Sequence, residues 1–287
     1  MLKDKIFGLI KKYGLRPKKR LGQNFLISDI AANVIIDAAG IDRDEIVVEI
    51  GAGLGSLTMF LLPQAARVVA VEKDERLSLA LKNEYGSFYT LKIITDDFLD
   101  VSLEKLLNGQ RVKKVKIVGN IPYYITAPII IAIINQCRHI KSGVLTLQED
   151  VAQRLVAGAG SRNYSRISCL AQYFLDLEII DKIAANEFFP APKVDSKIIR
   201  FTVREKPRVF PKDEQLFFAI IKAGFSQRRK MLINTLGRCI PNVDKDGLKK
   251  MLELSCIENH LRAEQLTLED FARLSDTVVD FDFARLR

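Results

Sequence analysis

Apolar residues recur at three- and four-residue spacing over residues 30–39 and stop at Gly40, which predicts a helix with Asp29 as its N-cap and Gly40 as its terminator. The pattern then changes to a short continuous run, Ile46-Val47-Val48-Glu49-Ile50, that breaks into Gly51-Ala52-Gly53-Leu54-Gly55. This order predicts a buried strand, a glycine turn and a helix opened by Ser56. A second strand over 67–72, a helix around 74–85 and a third strand over 91–95 repeat the unit. Each crossover has the length of a helix, so the strands are expected to be parallel.

A fourth strand over 115–119 ends at Asn120-Ile121-Pro122-Tyr123, with a helix over 127–136 behind it. A fifth strand over 142–148 precedes helices over 149–156 and 165–174. Two late strands, 177–185 and 196–203, are joined by a proline-bearing segment, 188–193. Beyond Arg204 only helical periods remain, over 213–225, 229–236, 245–255 and 267–276, so an α/β sheet is expected to give way to a small all-helical domain.

Composition narrows the function classes. With 287 residues and 48% hydrophobic side chains the chain can fill a sizeable core. The formal net charge of +9 is unevenly placed: residues 1–26 carry eight basic side chains against Asp4 alone, whereas residues 27–110 carry seven basic against fourteen acidic. Residues 111–203 and 204–240 are again basic, and the last stretch is mildly acidic. Basic blocks on either side of an acidic centre suit an anionic polymer. Residues 1–12 alternate charge with Ile6, Phe7, Leu9 and Ile10, the pattern of an amphipathic arm rather than a secretory signal. The longest uncharged run, 117–137, is interrupted by Asn120, Pro122, Pro128, Asn135 and Gln136 and makes a poor bilayer span. Cys137, Cys169, Cys239 and Cys256 show no Cys-x-x-Cys spacing, and only His139 and His260 stand beside them. Free thiols of a reducing cytosol are therefore expected, with no metal, no membrane partner and a cytoplasmic location.

The glycine turn sits where a backbone can approach a ligand closely, although a tight turn without a ligand has the same spelling. Glu72, at the end of the next strand, can accept both hydroxyls of a ribose. Asp96-Asp97 adds acids on the same sheet edge, and Asp97 can accept from an adenine amino group beside the Phe98 backbone. Dinucleotide and S-adenosylmethionine sites share all of this, and the glycines do not separate them. Asn120-Ile121-Pro122-Tyr123 does more. An adenine exocyclic amine is a poor nucleophile because its lone pair is delocalised into the ring. The Asn120 side-chain oxygen and the Ile121 carbonyl can each accept one amine hydrogen, which localises that lone pair toward a sulfonium methyl. Pro122 stiffens the turn, and Tyr123 offers a face on which the base can stack. A strand-end turn with a core tyrosine is the plainer alternative. A nicotinamide-dependent oxidoreductase would leave this motif without a task.

With these residues in place the chain resembles the bacterial 16S rRNA adenine N6,N6-dimethyltransferase family, from about Arg16 to Leu236. Its motifs stand as Leu21-Gly22-Gln23-Asn24-Phe25-Leu26, Glu49-Ile50-Gly51-Ala52-Gly53-Leu54-Gly55, Asn120-Ile121-Pro122-Tyr123 and Gln148-Glu149-x-x-x-Arg154-Leu155. Phe188-Phe189-Pro190-Ala191-Pro192-Lys193-Val194-Asp195-Ser196 and Phe225-Ser226-Gln227-Arg228-Arg229-Lys230 complete them. The family's usual Leu is Ile121 here, and Asp96 is an added carboxylate. The resemblance implies a Rossmann-like class I methyltransferase sheet that takes S-adenosyl-L-methionine as cofactor through Asn24, Leu26, Gly51, Glu72, Asp97 and Asn120. It implies catalysis by Asn120, Ile121, Pro122 and Tyr123, with Phe188 facing the target base opposite Tyr123 and Phe189 able to exchange roles with it. Pro190 and Pro192 are expected to hold that loop extended.

Lys18, Lys19 and Arg20, and Arg228, Arg229 and Lys230 at a helix start, are candidate phosphate contacts; a solvated basic face is the bland alternative. The target adenine must leave its stack to reach a pocket. The expected domains are a basic N-terminal arm (1–26), a catalytic domain (27–205) and a helical rRNA-binding domain (206–287). The expected partner is 16S rRNA in the immature 30S subunit, met by a monomer that dimethylates two adjacent adenosines. A 23S rRNA methyltransferase of the erythromycin-resistance type and a non-catalytic small-subunit assembly factor are the competing readings.

Overall fold

A computed structural model describes residues 1–109, 114–240 and 243–285. The described residues contain nine strands: β1 (Phe25–Leu26), β2 (Ile46–Ile50), β3 (Arg67–Val71), β4 (Leu91–Ile94), β5 (Val115–Asn120), β6 (Ile140–Gln148), β7 (Leu175–Ile183), β8 (Phe188–Phe189) and β9 (Ser196–Val203). Seven of them form one sheet in the order β4-β3-β2-β5-β6-β9-β7, while β1 and β8 pair separately. The neighbours β4, β3, β2, β5 and β6 are parallel. All five residues of β2 are buried, which is why four of them are apolar with no alternation and the fifth, Glu49, is a buried acid. The parallel rhythm ends at β6, where β9 inserts antiparallel with Gln148 opposite Ser196 and Ser142 opposite Thr202.

The first compact unit comprises Met1–Ala152 and Asp176–Val203. Its helix Asp29–Ala39 is capped by Ser28, whose hydroxyl accepts from the Ala31 N–H at 3.2 Å, one residue before the expected Asp29. Asp29 is occupied elsewhere, accepting from the Leu2 N–H at 3.0 Å. The expected helix at Ser56 begins only at Thr58, because the Ser56 hydroxyl donates to the Leu26 carbonyl at 2.8 Å. Residues 1–26 are not a separate arm. Leu2–Lys12 is a helix whose Leu2, Ile6 and Leu9 join the core, each burial worth roughly 1.5–3 kcal/mol. Part of its charge is engaged too: Lys12 pairs with Glu84 at 2.6 Å, and the Lys5 ammonium sits 4.7 Å from the centre of the Tyr85 ring.

The second compact unit comprises Gln153–Leu175 and Arg204–Arg287. It therefore takes in the helix Arg166–Phe174, which lies within the expected 27–205 segment, together with the late helices. Tyr164, Cys169 and Tyr173 are buried with Phe217, Ile221 and Phe271 in one apolar core. The backbone reinforces this: the Arg204 and Arg208 N–H groups donate to the Phe174 and Tyr173 carbonyls at 2.9 and 3.1 Å.

Candidate functional site

The parallel half of the sheet ends its strands at one edge, and the turns that follow β2, β3, β4 and β5 line one cavity there. Gly51, Gly53 and Gly55 adopt φ of 69°, 58° and 84°, a region that disfavours any side chain. Space adds a second constraint. It acts at Gly55, where a Cβ would lie 2.7 Å from the Tyr85 ring, whereas a Cβ on Gly51 would make an ordinary contact 3.7 Å from the Asn120 carbonyl. The turn is closed by the Gly51 and Ala52 N–H groups, which donate to the Val71 carbonyl at 2.9 and 3.2 Å.

Glu72 follows β3 and is 8% exposed. Its two oxygens accept from the Gly53 and Asp74 N–H groups, each at 2.8 Å, so this carboxylate ties the glycine turn to the next helix. Each oxygen keeps a second lone pair for a hydroxyl donor. Burial raises the Glu72 carboxyl from its ordinary value, and the backbone bonds oppose that rise. Asp74 behaves in the opposite way. Burial alone would raise it, but bonds from Arg76, Gln23 and Lys18 hold it well below the usual carboxylate range.

Glu49, on β2, also lines the cavity at 2% exposure. Burial pushes its carboxyl up to about 8, with the Glu72 charge adding to the rise and the bond from Thr58 Oγ1, 2.6 Å from Oε2, opposing it. At neutral pH this group holds its proton. Asp97 lies after β4. Its Oδ1 accepts from the Leu99 N–H at 3.0 Å, and its Oδ2 lies 2.6 Å from the Lys73 ammonium. Partial burial would raise Asp97, but these two partners lower it below its ordinary range. Asp96 accepts from the Asp97 N–H at 2.8 Å, so the added carboxylate shapes the turn.

Asn120 ends β5, and its amide nitrogen donates to the Asn24 carbonyl at 2.9 Å. That bond fixes which way the amide is turned and leaves Oδ1 as the acceptor. Asn24 is held in turn by its own side chain, which donates to the Gly22 carbonyl at 3.2 Å. Ile121 is 1% exposed, and its N–H donates to the Thr146 carbonyl at 3.1 Å. Pro122 has φ −57° and leads into the turn Tyr123–Ile125. The Tyr123 hydroxyl is 2.7 Å from Ser196 Oγ, a bond that anchors the ring by its polar end. Burial raises the Tyr123 phenol, so it is neutral in the physiological range.

The segment 23–28 is drawn to this edge by pairing of β1 with β8, Phe25 opposite Phe189 and Leu26 opposite Phe188. Leu26 is 1% exposed and lines the cavity with Asn24. Phe188 is placed otherwise than expected. It is 3% exposed and belongs to the core cluster, and it is not among the residues that line the cavity. Strand alternation sends its neighbour Phe189 to the other side, where its ring packs 4.7 Å from that of Phe7. The loop that follows carries a cis peptide at Phe189-Pro190.

The basic candidates divide into held and free. Lys18 pairs with buried Asp74 at 3.1 Å, whereas Lys19 and Arg20 are exposed and make no ion pair among the described residues. In the second unit the expected helix start at Arg229 is a turn, and the helix begins at Ile233. Arg228 donates to the carbonyls of Arg162 and Tyr164 and lies 3.7 Å from Glu264, so it joins two loops. Arg229 and Lys230 are exposed and unpaired among the described residues. Lys73 and Asp74 were not singled out in the sequence, and Gln23, Glu49 and Ser196 stood in its motifs without an assigned role. Their roles depend on partners such as Tyr123 and Ser196 that only the fold brings together.

Among the described residues there is no group of three or more His, Cys, Asp or Glu arranged to hold a metal, and no helix is long and apolar enough to cross a membrane.

The sequence model of the family described as ribosomal RNA adenine dimethylase matches residues 14–280. The ribosomal RNA small subunit methyltransferase A of Clostridium acetobutylicum is 37% identical over 270 residues, 94% of this chain and 96% of that protein. Its counterpart in Alkaliphilus metalliredigens is 36% identical over 276 residues, covering 96% of each. Among solved structures, a dimethyladenosine transferase from Plasmodium falciparum superposes with a TM-score of 0.72 at 26% identity, covering 90% of this chain and 98% of that one. The 23S rRNA methyltransferase ErmE shares the fold, with a TM-score of 0.69 at 23% identity over 89% of this chain and all of that one.

Proposed function

The chain belongs to the ribosomal RNA adenine dimethylase family, and from that premise we propose that it transfers methyl groups from S-adenosyl-L-methionine to the N6 amines of two adjacent adenosines in small-subunit rRNA. The substrate is 16S rRNA in the immature 30S particle, met in the cytoplasm by a monomer. The observation that carries this reading is the Asn120 amide, whose nitrogen is committed to the Asn24 carbonyl at 2.9 Å so that its oxygen is left to accept.

The cavity fits the cofactor. Glu72 stands where a ribose can donate to it, Asp97 where an adenine amine can, and the side-chain-free turn at Gly51 leaves room beside the Asn120 carbonyl. S-adenosylmethionine, when bound, supplies an electrophilic methyl on a sulfonium sulfur. The Asn120 oxygen and the Ile121 carbonyl accept the two hydrogens of the target amine and so make its nitrogen lone pair available. Tyr123, fixed through Ser196, gives the flipped base a face worth roughly 1–3 kcal/mol in stacking. The neutral Tyr123 and protonated Glu49 provide no general base, and none is needed where positioning and electrostatics lower the barrier. Of the basic residues named from the sequence, Lys19, Arg20, Arg229 and Lys230 make no ion pair among the described residues and are available to RNA phosphates.

The test is transfer of labelled methyl groups to small subunits isolated from cells that lack the modification, with the modified positions mapped by mass spectrometry. The expected product is a pair of adjacent N6-dimethyladenosines in 16S rRNA. Label appearing only in 23S rRNA, or no transfer by protein that binds the cofactor, overturns the proposal.

A further inference from the structure

Tyr124 follows the base-stacking residue and is put to no use by the chemistry above, yet it is a large aromatic side chain 54% exposed at the rim of the same cavity. It is exposed because of how the chain turns. The short turn Tyr123–Ile125 sends Tyr123 inward to Ser196 and leaves the next ring outside. The ring has a firm backing. Gly22, in the left-handed region at φ 58°, lies so close that a Cβ there would come within 3.2 Å of the Tyr124 ring and 3.3 Å of Pro122. The Gly22 backbone thus lies against the ring, at a position where a side chain would displace it by a few tenths of an ångström.

The residues just before Gly22 supply the second component. Lys19–Leu21 is a single helical turn ending on Gly22, and its Lys19 and Arg20 are exposed without ion-pair partners among the described residues. Lys18, by contrast, is held by Asp74. A supported aromatic face next to free cations is the arrangement that binds a single-stranded nucleotide, the base by stacking and its phosphate by charge. It stands beside a pocket that, on the proposed function, receives one of two adjacent adenosines.

We propose that Tyr124 is a second base subsite, on which the nucleotide adjacent to the target adenosine stacks while Lys19 and Arg20 hold its phosphate. The inference rests on the proposed function for the occupant of the pocket, but the ring, its backing and the cations are features of this chain. When one adenosine is withdrawn from its stack into the cavity, its neighbour loses a stacking partner, and Tyr124 replaces it.

The experiment has two arms that fail separately. In the first, the full-length protein is titrated into a short single-stranded RNA with 2-aminopurine next to an adenosine, and both fluorescence and affinity are read. The wild type is expected to quench the probe. Tyr124→Ala is expected to lose most of that quenching and about tenfold in affinity, and Tyr124→Phe to restore both. Absence of quenching in the wild type, or equal affinity for Tyr124→Ala and wild type, overturns the subsite. The second arm measures methyl transfer to unmodified small subunits. Tyr124→Ala is expected to raise KM for the subunit about tenfold with a smaller change in kcat, and to keep the cofactor Kd of the wild type. Loss of transfer by the wild type would instead overturn the proposed function, and the quenching arm would still decide the subsite. A rise in KM shared by Tyr124→Phe would assign the effect to the hydroxyl and refute stacking.

Discussion

Glu49→Gln isolates the buried proton under the cofactor cavity. The carboxyl is 2% exposed, and burial moves it from its ordinary value of 4.5 to about 8 in the folded protein. Between those values the folded state keeps a proton that the unfolded state releases, so stability must fall as pH rises. This contribution is fully present below about 4.5, diminishes through the window and is lost once pH passes about 8. One proton corresponds to about 1.4 kcal/mol per pH unit, which gives roughly 3 kcal/mol between pH 5.5 and 7.5. Glutamine keeps the shape and can still accept from Thr58 but does not titrate in this range. Burial raises Glu72 too, and because Glu72 remains in both proteins its slope largely cancels in the difference. The assay is equilibrium urea unfolding of both proteins at pH 5.5, 6.5 and 7.5. Relative to Glu49→Gln, the wild-type midpoint should drop by about 1 M over that range, taking a slope near 3 kcal/mol per molar. A difference that stays constant from pH 5.5 to 7.5 refutes the buried-proton assignment.

Asn120→Ala removes the acceptor oxygen and is expected to lower kcat for methyl transfer at least a hundredfold while the melting temperature stays within a few degrees; near-wild-type turnover would count against the role given to the amide. Glu72→Ala should weaken cofactor binding far more than RNA binding, since the carboxylate both faces the cavity and ties Gly53 to Asp74; calorimetry showing an unchanged cofactor Kd contradicts the ribose contact. Replacing Arg229 and Lys230 together by Glu should weaken binding to small subunits and flatten its dependence on salt, with cofactor affinity preserved; an unaltered salt slope removes this turn from the RNA surface.

The parts of the site that could be read from the chain are those built by local order. A βα turn needs its glycines within a few residues of the strand, so Gly51, Gly53 and Gly55 announce themselves. Glu72, Asp97 and Asn120 each follow or end a strand of the parallel half, and a strand's carboxyl end is recognisable in sequence. The strands 46–50 and 196–203 and the helix 149–156 coincide with the observed elements because their apolar periods run unbroken. The two-residue strands β1 and β8 and the short helix Leu103–Leu107 fall below the length at which a period can be seen. The boundary of the second unit was obscured for a different reason. Tyr164, Cys169 and Tyr173 have the same apolar texture whether they are buried against a sheet or against Phe217 and Phe271.

Periodicity and the needs of chain turns are local, so the parallel α/β order and the strand-end positions of Glu72, Asp97 and Asn120 were legible in the chain. Which of the basic candidates are held was settled by folding, since the pairing of Lys18 with Asp74 and of Arg228 with Glu264 joins positions far apart in the chain. Folding also set the orientation of the side chains at this edge. Asn120 is turned by the carbonyl of Asn24, Tyr123 is held by Ser196, and Phe188 is drawn into the core by pairing with Leu26. A hydrogen bond or strand pairing between distant segments has no local period, so it exists only once the fold has brought its two ends together.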